Sequence, residues 1–459
     1  MLFSSIEFIF GFLPITFILY FIIARWSNVY ARLWLLFASI FFYGWWNPNN
    51  IVLIAISMAL NFSFGNWIIS SKKKWALIIG VSANLATLFY FKYANFFLTN
   101  FNTLFDQHFE FLKVVLPLGV SFFTFTQIAY LVDCYNGKVG NYKFSNYCLF
   151  VTFFPHLIAG PIVHHTQLMP QFDNQNNTRL NFNNIAKGIF VFNIGLAKKI
   201  VIADTISTIV NNGYSNTALL SVGQAWVTSF AYSIQLYFDF SGYSDMAIGL
   251  GLLFNIDFPL NFNSPYRATN IQEFWRRWHM TLSNFLRDYI YVPLGGNRKG
   301  ELLTSRNLMI TFVLGGIWHG AGWTFIVWGF LHGFALVIHK EFKNLTLQIP
   351  NWIALSMTFL FVNLTWVFFR SPSWADAMNM LTAMSGAGTN LKEFSLINDY
   401  YFAPLWILSV ILLFTKNAKE WSDEFRPEFS FAWKTIILII INIIFLNSVF
   451  DQEFLYFDF

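Results

Sequence analysis

Most of this 459-residue chain is a succession of apolar runs, and a backbone buried in such sequence must satisfy its own hydrogen bonds. The runs lie at 6–24, 33–46, 50–69, 75–91, 113–132, 185–210, 221–238, 307–319, 322–339, 352–370, 401–415 and 431–450. Crossing a hydrocarbon core of about 30 Å takes about 20 apolar residues, so these runs predict an all-α polytopic membrane protein. We expect about 11–13 transmembrane or re-entrant helices, since several runs are short. The segment 145–163 is interrupted by Phe154-Pro-His156 and Gly160-Pro161, and 239–265 is similarly broken. Re-entrant or half-spanning helices are expected at both, because broken helices survive at membrane depth only where protein or a wet cavity covers them.

Composition narrows the class further. Charged residues are 11% of the chain against 56% hydrophobic, which a soluble globule does not match. The net charge of +5 is scattered, so nucleic acid is not an expected partner. Cys134 and Cys148 have no metal-ligand spacing and are read as reduced, with no metal site. Run 6–24 has no preceding Lys or Arg and no small-residue cleavage site, so it is a first span and not a signal peptide. Arg25, Arg32 and Lys72 to Lys74 follow the first and third spans, placing the amino terminus outside. Arg276, Arg277, Arg287, Arg298, Lys299 and Arg306 put the segment before Gly315 on the cytoplasmic face. Lys416, Lys419, Arg426 and Lys434 flank the last span on one side while Asp451, Glu453 and Asp458 lie beyond it, so the carboxyl terminus should face outward. The whole chain, 1–459, reads as one integral-membrane domain with a short outer tail at about 451–459.

Against this background titratable residues stand out, because a charge at mid-bilayer costs roughly 2.5–3.5 kcal/mol or more. His319 follows Gly315, Gly316 and Trp318 and precedes Gly320 and Gly322. Glycines permit close backbone approach, and a neutral imidazole can take a proton during acyl transfer. The alternative is a buried histidine bonded to a carbonyl. His279 ends Trp275-Arg276-Arg277-Trp278, and a helix through it puts Trp275, Trp278 and His279 on one face. That segment can equally lie at the interface as an amphipathic anchor. Asp239 and Asp245 sit among aromatics in Gln235 to Asp245, and pairing of Asp239 with Arg276 or Arg277 competes with a substrate-binding role. Pro293-Leu-Gly-Gly-Asn297 reads as a turn whose glycines supply positive φ. Among His156, His332 and His339, His332 is the best candidate to line a site. In the tail, Tyr456 offers a phenolic nucleophile amid Phe454, Phe457 and Phe459, which by themselves describe an interfacial anchor.

Taken together, Phe153 to Pro161, Tyr237 to Asp245, Phe274 to Gly296 and Trp318-His-Gly-Ala321 resemble the membrane-bound O-acyltransferase family, in its bacterial branch that modifies cell-wall and exopolysaccharides. The resemblance covers the middle of the chain in the right order. It implies a ring of tilted helices around a tunnel through the bilayer, with His319 as the family's near-invariant histidine. His279 matches a second polar position that is Asn in many eukaryotic relatives. Trp318, Arg276, Arg277, Trp278 and Asp239 are the implied substrate-binding set, and Phe454 to Phe459 looks like a carboxyl-terminal tyrosine motif that shuttles an acyl group. No cofactor is implied as bound; the donor implied is cytoplasmic acetyl-CoA, held near the basic mouth. The missing outer domain implies a periplasmic SGNH-type acetyltransferase partner, and the setting is a bacterial inner membrane with both termini periplasmic. The 58 Phe residues, with many Ile, Asn and Lys, indicate an AT-rich genome, which favours peptidoglycan over alginate as the polymer. Alginate or another exopolysaccharide, and teichoic-acid D-alanylation, stay as alternatives. A transporter or flippase using the arginines to bind is the rival from another class; it predicts no turnover of acetyl-CoA. Visible inverted repeats, which transporters commonly carry, are absent from the sequence.

Overall fold

In the computed structural model the described residues are 1–140, 142–158, 160–343, 349–387, 402–446 and 455. They form helices and loops with no strand among them, as the apolar runs require. Six helices are long and apolar enough to cross a membrane: Glu7–Ala24, Asn49–Ser71, Lys74–Phe105, Trp323–Phe342, Asn351–Arg370 and Phe429–Leu446. Their outer faces expose large apolar side chains such as Phe10, Val52 and Ile444, a surface suited to lipid and not to water. The protein is therefore a multi-pass membrane protein. Contacts divide the chain into two compact units, one of residues 1–194, 243–259 and 425–439, the other of 195–242, 260–424 and 440–459.

In the first unit, rings of Phe3, Phe8, Phe12, Phe42 and Phe154 build one aromatic core. Asn61 and Asn84 exchange amide hydrogen bonds of 3.1 and 2.6 Å between helices Asn49–Ser71 and Lys74–Leu88. Such polar pairing fastens helices that apolar contact alone cannot distinguish from lipid. The break expected in 145–163 is present: helix Phe144–Thr152 ends at Phe153, and Phe154–Leu157 follows with Pro155 at its start. The break is satisfied internally, since the Phe154 N–H donates to Ser39 Oγ at 3.2 Å and His156 Nε2 bonds the Phe150 carbonyl at 2.9 Å. Cys134 and Cys148 are buried and unpaired here.

The second unit carries the polar motifs. Helix Val222–Leu253, which from Tyr243 on belongs to the first unit, runs 32 residues without interruption. The expected re-entrant break at 239–265 is thus wrong for its first half, and only 254–264 is irregular apart from isolated turns. Gly242 and Gly249 explain the misreading. They are not helix breakers here but close-contact points, where an added Cβ would lie 2.7 Å from the Gly195 and Gly188 carbonyl oxygens respectively. Helices Glu301–His319 and Trp323–Phe342 form a tight hairpin, joined by extended Gly320 and Gly322. A Cβ on Gly316 would meet the Phe325 carbonyl at 2.3 Å and the Gly329 Cα at 3.1 Å, so the two backbones touch.

Candidate active site

His319 is the last residue of its helix, buried to 4% exposure. Its ring is enclosed edge-to-face by Trp318, Trp328 and Phe369, with centroids at 4.8, 5.0 and 5.1 Å. The carboxyl end of a helix carries partial negative charge, which favours an imidazole that gains a proton. The cage excludes water and holds the ring, so a proton taken there is kept near the reacting atoms.

The polypeptide around His279 departs from the predicted helix. Helix Ile271–Arg277 stops after about two turns; Asn270 accepts from the Glu273 N–H at 2.8 Å and starts it. Trp278 is extended, and His279 has φ 41° and ψ 53°, in the left-handed region, before helix Met280–Leu286 begins. Trp275, Trp278 and His279 therefore do not share one helical face. The physical cause is a clamp by the segment 261–263. The Met280 N–H donates to the Asn261 carbonyl and the Asn263 N–H to the Arg277 carbonyl, both at 2.9 Å.

Asn261 also sets the proton of His279. Its Oδ1 faces His279 Nδ1 at 2.9 Å, the Thr281 hydroxyl at 3.0 Å and the Thr281 N–H at 3.4 Å. A backbone N–H can only donate, so the facing atom is the amide oxygen and Nδ1 carries hydrogen. Nε2 is then the basic nitrogen of a fully buried ring packed on Phe240 at 4.7 Å. Asn261, itself buried, was missed in the sequence; an amide in Leu260-Asn-Phe262 was the available signal.

Between the two histidines runs a wall of indoles. Trp278 lies 5.0 Å from Trp366, Trp366 lies 5.7 Å from Trp328, and Trp328 lies 5.0 Å from His319. Trp318 and Trp278 are both buried. His332 belongs to the same wall but is fully committed: Nδ1 accepts from Trp275 Nε1 at 3.2 Å, and Nε2–H donates to Thr365 Oγ1 at 3.0 Å. It holds the wall together and has no nitrogen left for substrate.

The arginines separate from the aspartate expected to pair with them. Arg276 is exposed. Arg277 bonds Glu273 at 2.8 Å and the Asn263 carbonyl at 3.2 Å. Burial tends to raise the Glu273 pKa, but the hydrogen bonds from Thr269 and Arg277 outweigh it and hold the carboxyl below its usual range. Asp239 pairs instead with Lys199 at 2.8 Å, and Lys199 also bonds Asp204 at 2.5 Å. Neither partner was foreseen. Asp245 falls in the other unit. The glycines of Pro293 to Asn297 do adopt positive φ, 113° at Gly295 and 57° at Gly296, and Asn307 Nδ2 ties the turn down through the Gly296 carbonyl at 3.0 Å. Tyr456 lies outside the described residues.

Comparison with known proteins identifies the family. The pattern described as MBOAT, membrane-bound O-acyltransferase family, matches residues 81–373. Over its full length the chain is 44% identical to the peptidoglycan O-acetyltransferase of Helicobacter pylori, covering 98% of that protein. A protein of Pseudomonas aeruginosa named a probable alginate O-acetylase is 41% identical, across 87% of this chain and 78% of its own length. The teichoic acid D-alanyltransferase of Streptococcus thermophilus is 27% identical, across 48% of this chain and 56% of its own. With both histidine motifs and their supporting shell in the matched region, the chain belongs to the membrane-bound O-acyltransferase family and is an acyltransferase.

Proposed function

We propose that this protein moves acetyl groups from cytoplasmic acetyl-CoA through the inner membrane to a periplasmic SGNH-type acetyltransferase that O-acetylates peptidoglycan. The observation that carries the reading is the caged His319 joined by an indole wall to His279, a proton acceptor poised between apolar surfaces. The Tyr456 oxygen attacks the thioester carbonyl, and His319 takes the phenolic proton. The C–S bond then breaks and that proton leaves with the CoA thiol, so Tyr456 holds an acetyl ester. Exchange with a serine hydroxyl of the partner returns the phenol. His279, with Nε2 basic, accepts a hydrogen bond from the entering hydroxyl and orients it. Trp318 and Trp278 shape the apolar path, and exposed Arg276 attracts the phosphates of the donor from the cytoplasmic side. Peptidoglycan is favoured because the full-length relative named for it is 44% identical, against 41% over part of the chain for the alginate relative.

The test is turnover. Purified protein in lipid vesicles given acetyl-labelled acetyl-CoA is expected to release CoA and to carry label on Tyr456. Tyr456→Phe keeps the ring and removes the nucleophile, so it should carry no label and leave the polymer unacetylated. Release of no CoA and no labelling of the wild type would overturn the enzyme reading in favour of transport. Polymer identity is read separately, from ester-linked acetate on peptidoglycan in cells with and without the gene.

A further inference from the structure

A buried charge cluster in the second unit has no part in the chemistry described. Lys199 stands between Asp204 and Asp239, and all three are no more than 3% exposed. Removing charges from water costs several kcal/mol per ion. Such clusters are poor stabilisers, because apolar residues of equal volume commonly do as well. The fold nonetheless goes to some length to build this one. Lys198–Ala203 is a π-helical turn, a wider winding that is frequent at functional sites. Gly242, one turn beyond Asp239, lets this turn approach so closely that a Cβ there would sit 3.0 Å from Lys198 Cβ.

One of the two carboxylates is met from far along the chain. Asp239 gives Oδ1 to Lys199 and, through Oδ2, accepts the backbone N–H of Leu455 at 3.2 Å. Leu455 is the residue before Tyr456. Phe240, the next residue after Asp239 on the helix, is the ring that packs on His279. From this juxtaposition we infer that the Lys199–Asp204–Asp239 triad is a dock for the chain's own carboxyl-terminal tail, gripping the peptide N–H of Leu455 beside the reaction centre. A carboxylate bonded to a peptide N–H is one of the stronger hydrogen bonds available, and it reads backbone, not side chain. Asp239 is thus a positioning residue for the tail and not a substrate ligand. The consequence for transfer rests on the carrier role proposed for Tyr456; the docking itself does not.

The experiment uses the full chain in vesicles with Gln452→Cys as a reporter in the tail, reacted with a polar maleimide. Native Cys134 and Cys148 are buried and give a low background. Asp239→Asn removes the charge, and Leu455→Pro removes the donor N–H while leaving the triad whole. Each should raise the labelling rate about tenfold, as expected for losing a charge-assisted hydrogen bond. The double variant should label no faster than the faster single. Tyr456→Phe should label at the parental rate, so a failed carrier role, seen as normal polymer acetylation in that variant, is separable from a failed dock. Should Asp239→Asn not fold, Leu455→Pro decides alone: labelling at the parental rate in that variant overturns the dock.

Discussion

Replacing Asn261 with Leu removes the acceptor that fixes the His279 tautomer while keeping a side chain branched at Cγ. Three donors then lose Asn261 Oδ1 in a buried site, His279 Nδ1–H, the Thr281 N–H and the Thr281 hydroxyl. Each buried donor left unmet costs about 1–3 kcal/mol, so the variant should lose at least about 3 kcal/mol of stability. The imidazole becomes free to carry its hydrogen on Nε2, where it can no longer accept. Partners that orient functional histidines on metals are worth about 10- to 100-fold, and a loss of that size in acetyl transfer is expected. Asn261→Asp restores an acceptor to Nδ1–H and should recover most of the rate. The assay is CoA release by purified protein in vesicles, with thermal unfolding measured on the same preparation. Leu at 261 with full transfer in a folded protein would refute the tautomer argument. Equal loss from Leu and Asp would show that the amide serves packing alone.

His319→Ala should lower transfer about 10²–10⁴-fold, the usual value of a general base, with insertion unchanged; wild-type polymer acetylation at equal protein level would exclude His319 as the base. His279→Asn should be milder than His279→Ala in the same assay, since the amide keeps hydrogen bonding; two equal and negligible effects would make His279 a packing residue. Gly316→Ala should loosen the hairpin that carries His319, because its Cβ meets the Phe325 carbonyl at 2.3 Å, and cost about 1–3 kcal/mol in thermal unfolding. Glu273 has a lowered pKa, so its stabilisation is present above its unfolded value and lost as pH falls through the lower folded one. Glu273→Gln should therefore flatten the acid side of a stability profile measured between pH 3 and 6, and an unchanged profile would contradict the assignment.

The sequence displays some of this and hides the rest, for physical reasons. The membrane spans are legible because a hydrocarbon core demands continuous apolar length. His319 stands out because an imidazole among Gly, Trp and Ile is costly to bury, and a structural ring bonded to a carbonyl would leave the same mark in the sequence. The turn at Pro293 to Asn297 follows from its glycines. The break before His279 is not legible: a left-handed residue that is not glycine leaves no local mark, and its cause, Asn261 and Asn263, lies 14 to 18 residues away. Lys199 as the partner of Asp239 is hidden likewise, because the pairing joins separate helices and the nearby arginines are better candidates on sequence alone. Gly242 and Gly249 look like helix breakers, since spacing cannot separate a kink from a close contact.

His279 sits at φ 41°, where a side chain with a Cβ is strained unless it is Asn, Asp or His, and where glycine costs nothing. The position therefore accepts a short alphabet. Glycine would keep the turn but empty a buried, hydrogen-bonded site, and most other residues would add strain without the chemistry. A screen that selects for thermal stability alone should thus return His, Asn or Asp at 279, the last two without the imidazole. A homologue search can use the same limit in reverse. A family member with Leu or Val at this place would have to reshape the clamp around 261–263 before it could fold the same turn.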